Sequence, residues 1–143
     1  MPIRLFPHDP AWMRQADSLI ADLASVLGGS AGRFEHVGST SVPGLPAKAK
    51  LHIDLLLAPD ADVQGMRQRL QHLGYADLGT LHREEEWQLT RPEGKRFGTG
   101  LPEDAGTVMA HRVCLCRPDS PAAEDRRRFR DALRANDGLA RDY

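Results

Sequence analysis

With 143 residues, 41% of them hydrophobic and 27% charged, the chain suffices for a proper core and reads as a single domain over residues 1–143. Its 19 basic and 20 acidic residues give a formal charge of −1, so nothing in the overall balance favours nucleic acid or a membrane surface. No run approaches the roughly 20 apolar residues that span a bilayer, and MPIRLFPHDPAW lacks the apolar stretch of a signal peptide; a cytoplasmic protein is expected.

Asp9 is a good N-cap and Pro10 suits the first helical position. Apolar residues then recur at helical spacing from Met13 to Val26 and Leu27, until Gly28-Gly29 ends the run. Arg33–Val37 reads as a short strand entering a Gly38-Ser39 turn. Val42 to Pro46 is a loop, since two prolines and a glycine leave little room for regular structure. Leu51–Leu57 is the clearest strand. A second helix, capped by Asp60 or Asp62, carries Val63, Met66, Leu70 and Leu73 and stops at Gly74.

Glu85–Thr90 is a predicted strand with Trp87 and Leu89 on one face, and Val108–Cys116 another. The Gly- and Pro-rich stretch 91–107 between them is expected to be a turn or mobile loop over the site. Ser120-Pro121 opens a helix to about Ala135, and Asp137 is a possible start of a last turn. This helix carries Arg126, Arg127, Arg128, Arg130 and Arg134 among Glu124, Asp125 and Asp131, the pattern of a solvated, salt-bridged face. Cys114 and Cys116 are expected to point apart, without an intrachain disulfide, as reduced thiols. The order of elements implies an α+β domain with helices packed on a mixed sheet.

The stretch FEHVGSTSVPGLPAKAKLHIDLLL, Phe34 to Leu57, concentrates the chemistry. Side chains alternate along a strand, so His52 and Asp54 project together from the face opposite Leu51, Ile53, Leu55 and Leu57. Gly38 removes bulk at the turn, and Ser39, Thr40 and Ser41 present hydroxyls and amides suited to a phosphate. Lys48 is one of three lysines against 16 arginines; its ammonium is a compact partner for phosphate. Lys50 is expected to be surface-exposed. A carboxylate between Ile53 and Leu55 is costly unless a metal or hydrogen bonds compensate it, which makes Asp54 the strongest candidate ligand. His52 is either a second ligand or a hydrogen-bond partner. His36 either meets a substrate phosphate or fills the strand edge.

GSTSVPGLPAK followed by a polar-x-Asp strand, with the opening helix after PHDPAW and the FRDALRAN helix after RPDSP, resembles the GrpB family, whose fold is that of the nucleotidyltransferase superfamily. The resemblance implies a phosphate site at Gly38, Ser39, Thr40, Ser41 and Lys48, and a catalytic, metal-binding pair. Members usually carry Asp-x-Asp where this chain has His52 and Asp54. Glu84, Glu85 and Glu86 are sources of a further carboxylate, with Glu85 taken as the candidate, and His111 is another possible ligand. The implied cofactor is a divalent metal, Mg²⁺ or Mn²⁺, with Zn²⁺ possible because imidazole suits it. The implied partner is a nucleoside triphosphate or another phosphorylated small molecule. Two functions follow: metal-dependent nucleotidyl transfer to an unknown acceptor, or a catalytically impaired nucleotide- or phosphate-binding accessory module. The module reading draws on the His52 replacement and on family members fused to dephospho-CoA kinase.

Overall fold

The computed structural model describes residues 5–80 and 85–136. The 17-residue helix α1 (Ala11–Leu27) turns Trp12, Ala16, Leu19, Leu23 and Leu27 inward, the spacing read from the sequence. The side chain of Asp9 accepts from the amide of Ala11 at 2.9 Å, satisfying one of the free N–H groups at the helix start. Strand β1 (Gly32–Val37) follows, then a single 3-10 turn over Ser39–Ser41, then β2 (Leu51–Leu57). Helix α2 (Val63–His72) is capped by Asp62, whose side chain accepts from Gly65 N.

Beyond α2 come β3 (Ala76–Gly79), β4 (Glu86–Arg91), the two-residue strands β5 (Gly94–Lys95) and β6 (Thr107–Val108), then β7 (His111–Cys116) and α3 (Pro121–Ala135). Ser120 caps α3 by accepting from Ala123 N, and proline begins the helix.

The main sheet has the order β1-β2-β7-β4-β3. β2 and β7 are parallel, and the other neighbouring pairs are antiparallel, so the fold is the expected α+β arrangement on a mixed sheet. Leu51, Ile53, Leu55 and Leu57 of β2 and Val113 and Leu115 of β7 pack with α1 and with Met66 and Leu70 of α2. Each fully buried leucine here contributes about 1.5–3 kcal/mol of apolar transfer energy. The opposite face, with Leu56, Cys114 and Cys116, lies under Ala123 of α3.

Four expectations need correction. The segment 91–107 does not cover the candidate site: it forms the β5–β6 hairpin and is tied to α1, where Arg96 grips both carboxylate oxygens of Asp22 at 3.1 Å and the amide of Thr99 donates to Ser25 Oγ. Phe97 enters the core there. The strand foreseen over Val108–Cys116 is broken into β6 and β7. β3 is an addition at the sheet edge, with a register shift between Asp77 and Gly79; its Ala-Asp-Leu-Gly sequence carries little β propensity. Finally, Cys114 and Cys116 are both free, but they do not point apart. Residues two apart share a face, and both thiols are buried on the α3 side. The turn proposed at Asp137 lies outside the described residues.

Candidate functional site

Three strand ends meet at one edge of the sheet. Val37, the last residue of β1, is paired with His52, and His52 is paired in turn with Arg112 near the start of β7. Gly38 follows with φ +80° and ψ −176°, a backbone state essentially confined to glycine. A Cβ there would lie 3.4 Å from Cβ of His52, so the turn and the histidine are close neighbours.

The turn is fixed from beneath. Thr40 Oγ1 is hydrogen-bonded to His36 Nε2 at 2.9 Å. Ser41 Oγ donates to the Gly38 carbonyl, and the Ser41 carbonyl accepts from Arg134 Nε of α3 at 2.8 Å. His36 therefore serves the turn. Burial, followed by the nearby Arg134 and Arg130, depresses its pKa to about 4, so the ring is neutral at physiological pH.

The proline-rich loop returns under control as well. Val42 and Leu45 pack against Leu133 of α3, and Ala47 and Phe6 exchange backbone hydrogen bonds at 2.8 and 3.0 Å. A cavity of about 730 Å³ results, into which Gly38, Ser39, Thr40, Lys48, Lys50 and Arg112 contribute, with His52 at its floor and Leu45, Pro46 and Leu51 as apolar wall. Burial, then Arg112 and Lys48, hold the Lys50 ammonium below the usual lysine range. Arg112 Nε is buried without a hydrogen-bond partner. Of the residues read as a phosphate site, Gly38, Ser39, Thr40 and Lys48 line this cavity; Ser41 is fully buried behind it.

His52 and Asp54 do share a sheet face, but their surroundings differ. His52 is partly exposed, whereas Asp54 has no exposed side-chain surface and is not part of the cavity wall. Asp54 Oδ2 accepts from Arg126 Nε at 2.8 Å. The same guanidinium donates from Nη2 to Glu86 Oε1 at 2.9 Å, and Ser120 Oγ donates to that oxygen at 3.0 Å. Burial works against the Arg126 charge, yet the bonds from Asp54 and Glu86 outweigh it and raise its pKa. Arg126 thus bridges two buried carboxylates on β2 and β4, the strands that flank β7.

The α3 arginines accordingly depart from the solvated pattern. Arg128 forms the expected exposed pair with Glu124. Arg126, Arg130 and Arg134, four residues apart, instead face the sheet: Arg130 Nη1 donates to Glu35 Oε2 at 2.8 Å and to the His36 carbonyl at 3.0 Å.

The further ligand candidates do not converge on Asp54. Glu85 is exposed, with φ +62°; Glu86 is the glutamate that turns inward, and Glu84 lies outside the described residues. His111 lies on the α1–α2 face of the sheet. Its Nδ1 donates to the Met109 carbonyl at 2.8 Å, which leaves Nε2 to accept from the Tyr75 hydroxyl. Burial holds its pKa near 4. Its role there is structural.

The residues do not fit a divalent metal. His52 Nε2 and Asp54 Oδ1 face each other at 3.4 Å, each without a hydrogen-bond partner, but they offer two donors, one of them the imidazole that Mg²⁺ disfavours. The opposing oxygen of the same carboxylate holds Arg126, a cation that a metal would have to tolerate or expel. Asp54, Cys114 and Cys116 bring ligand atoms within 4.8 Å of one another. However, Asp54 Oδ2 and Cys114 Sγ both already accept from Arg126, a cation placed where the metal would sit.

Lys50, Arg112 and Arg126 were not singled out as site residues from sequence, and Glu86 was named only as one of three candidate glutamates. The parity of β7 sets Arg112 on the face opposite His111, but only the pairing of β7 with β2 brings it beside His52. No helix of the described residues is long and apolar enough to cross a membrane.

Comparison with known proteins agrees with this architecture. UPF0157 protein BH1888 of Halalkalibacterium halodurans is 42% identical over 59% of this chain and 42% of its own length. Dephospho-CoA kinase of Mycobacterium tuberculosis is 32% identical over 99% of this chain and 38% of its own length. The chain thus spans less than half the length of these curated relatives. The crystal structure of the conserved protein GrpB from Enterococcus faecalis superposes with a TM-score of 0.77 over 98% of this chain and 78% of that one, at 24% identity, and shares its nucleotidyltransferase-like fold. The family model for GrpB protein matches residues 2–143. The chain belongs to the GrpB family.

Proposed function

We propose that this GrpB-family domain is a binding module for a phosphorylated small molecule, held in the cavity between the Gly38 turn and the start of β7. The single observation that carries the reading is the division of charge: Lys48, Lys50 and Arg112 face the cavity with His52, while the buried acid, Asp54, is turned to Arg126. An ammonium and a guanidinium supply charge-assisted hydrogen bonds to phosphate oxygens. The glycine at position 38 lets the backbone approach without a side chain in the way. The apolar wall takes the uncharged part of the ligand. That relatives named dephospho-CoA kinase match this chain over 38% of their length is compatible with a module carried beside a separate catalytic body.

Metal-dependent nucleotidyl transfer is the second reading, favoured by the facing, unpartnered atoms of His52 and Asp54. That reading requires Arg126 to give up Asp54 before Asp54 and His52 could hold Mg²⁺ or Mn²⁺, with Ser39 and Lys48 on the phosphates. A thermal-shift series with nucleoside triphosphates and phosphorylated metabolites, in EDTA and then with Mg²⁺ or Mn²⁺, separates the two, because a ligand of the native state raises the midpoint. The module reading predicts stabilisation in EDTA that Lys48→Ala reduces. Stabilisation only with metal, together with turnover of labelled triphosphate, would replace it with the transferase reading.

A further inference from the structure

We propose that the cavity takes a ligand with at least two linked phosphates as the metal-free anion, so that Mg²⁺ opposes binding. This rests on the phosphate-binding reading above and goes beyond it by naming the ionic form and the charge of the ligand.

Proteins that bind a polyphosphate as its Mg²⁺ complex present carboxylates to the metal and cations to the phosphate oxygens. Among the described residues, this cavity presents only the second half: Lys48, Lys50, Arg112 and the His52 imidazole contribute to its wall, and no Asp or Glu does. Asp54, the carboxylate paired with His52, is fully buried, and its Oδ2 is taken by Arg126. Three side-chain cations at one mouth repel one another when no anion is present; the depressed pKa of Lys50, to which Arg112 and Lys48 contribute after burial, agrees with this. One phosphate brings at most two negative charges near neutral pH against three cations, whereas a pyrophosphate group spreads three or four negative charges across them. Arg112 lines the cavity, and its guanidinium can offer such an anion charge-assisted hydrogen bonds. A Mg²⁺ complex brings two fewer net negative charges, and a hydrated dication into the company of lysine and arginine. The cavity's 730 Å³ exceeds the needs of pyrophosphate, and Leu45, Pro46 and Leu51 suit an apolar or planar remainder.

The test is calorimetric titration of the protein with pyrophosphate and with ATP at matched ionic strength, first in EDTA and then with Mg²⁺ in excess of ligand. The expected result is binding in EDTA, with an apparent Kd that rises about tenfold or more when Mg²⁺ sequesters the free anion. In EDTA, Arg112→Gln should weaken pyrophosphate binding by roughly tenfold or more, the scale of one charge-assisted hydrogen bond; Lys50→Ala, at an exposed position, repeats the test should Arg112→Gln fail to fold. Equal or tighter binding with Mg²⁺ would overturn the proposal and leave the phosphate-binding reading standing. Unchanged pyrophosphate affinity in both variants would also overturn it. No binding of either compound in EDTA or with Mg²⁺, nor of any phosphorylated compound in the thermal-shift series, would remove both readings.

Discussion

Arg126 is the residue on which the interior of the α3 face depends. Its fork reaches Asp54 with one arm and Glu86 with the other, so truncation removes the guanidinium that bridges two buried carboxylates. Arg126→Ala should cost about 3–5 kcal/mol, the range for breaking a buried ion pair from one side, read as a lower urea midpoint at neutral pH. Arg126→Lys should recover only part of that, because an ammonium lacks the planar fork that spans two acceptors. The sequence called for a metal or hydrogen bonds to compensate Asp54, and Arg126 supplies a charge-assisted hydrogen bond. Gly38 is the corresponding residue for the cavity. In Gly38→Ala the backbone must hold a conformation that side chains resist, at a cost of about 1–3 kcal/mol. Anion affinity should fall with stability, since the turn and His52 are in contact.

Among the elements, those with strong local signals were legible: α1 from its apolar period and Gly28 stop, α3 from its Ser120-Pro121 start, α2 from Asp62 and its apolar stripe, and β2 from uninterrupted alternation. The elements that were not legible owe their structure to partners. β3 exists as an edge because β4 offers it a ladder, and the β5–β6 hairpin is held against α1 by Arg96 and Asp22, 74 residues apart. Periodicity cannot report such distant pairings. The same limit governed the site. The GSTS turn and Lys48 were recognisable in one continuous stretch, whereas Arg112 and Arg126 reach it only through the β2–β7 pairing and the packing of α3 on the sheet. Even the spacing of Arg126, Arg130 and Arg134 gave no sign of direction, since a charged stripe is ordinarily the solvent side of a helix. A prediction belongs to β1 as an element. A Cβ on Gly32, where φ is +150°, would sit 2.0 Å from the Leu56 carbonyl. Gly32→Ala should therefore push β1 off β2, lower stability by about 1–3 kcal/mol, and weaken anion binding through the displaced Gly38 turn. Amide exchange across β1 and β2 would locate the change.

At the scale of the whole molecule, the sheet has a polar interior on one side and a dry core on the other, and a buried neutral histidine stands on the dry side as well as beside the site. The pKa values of His36 and His111 are both lowered from 6.5 to about 4. Below pH 6.5 the unfolded chain therefore binds protons that the folded chain does not. The stability both rings contribute is complete above that pH and is lost as pH falls towards 4, by up to about 3 kcal/mol for each ring. Urea midpoints should decline through this window, and His111→Gln should flatten part of the slope.

The central claim, that the cavity rather than Asp54 receives the ligand, is tested most directly by crystal structures of the protein grown with pyrophosphate, one in EDTA and one with Mg²⁺. The account predicts an anion against the Gly38 turn, Lys48 and Arg112 in EDTA, with Arg126 still bonded to Asp54 and Glu86 in both. A metal ion bound to Asp54 and His52, with Arg126 displaced and the phosphates reaching the protein through that metal, would contradict it.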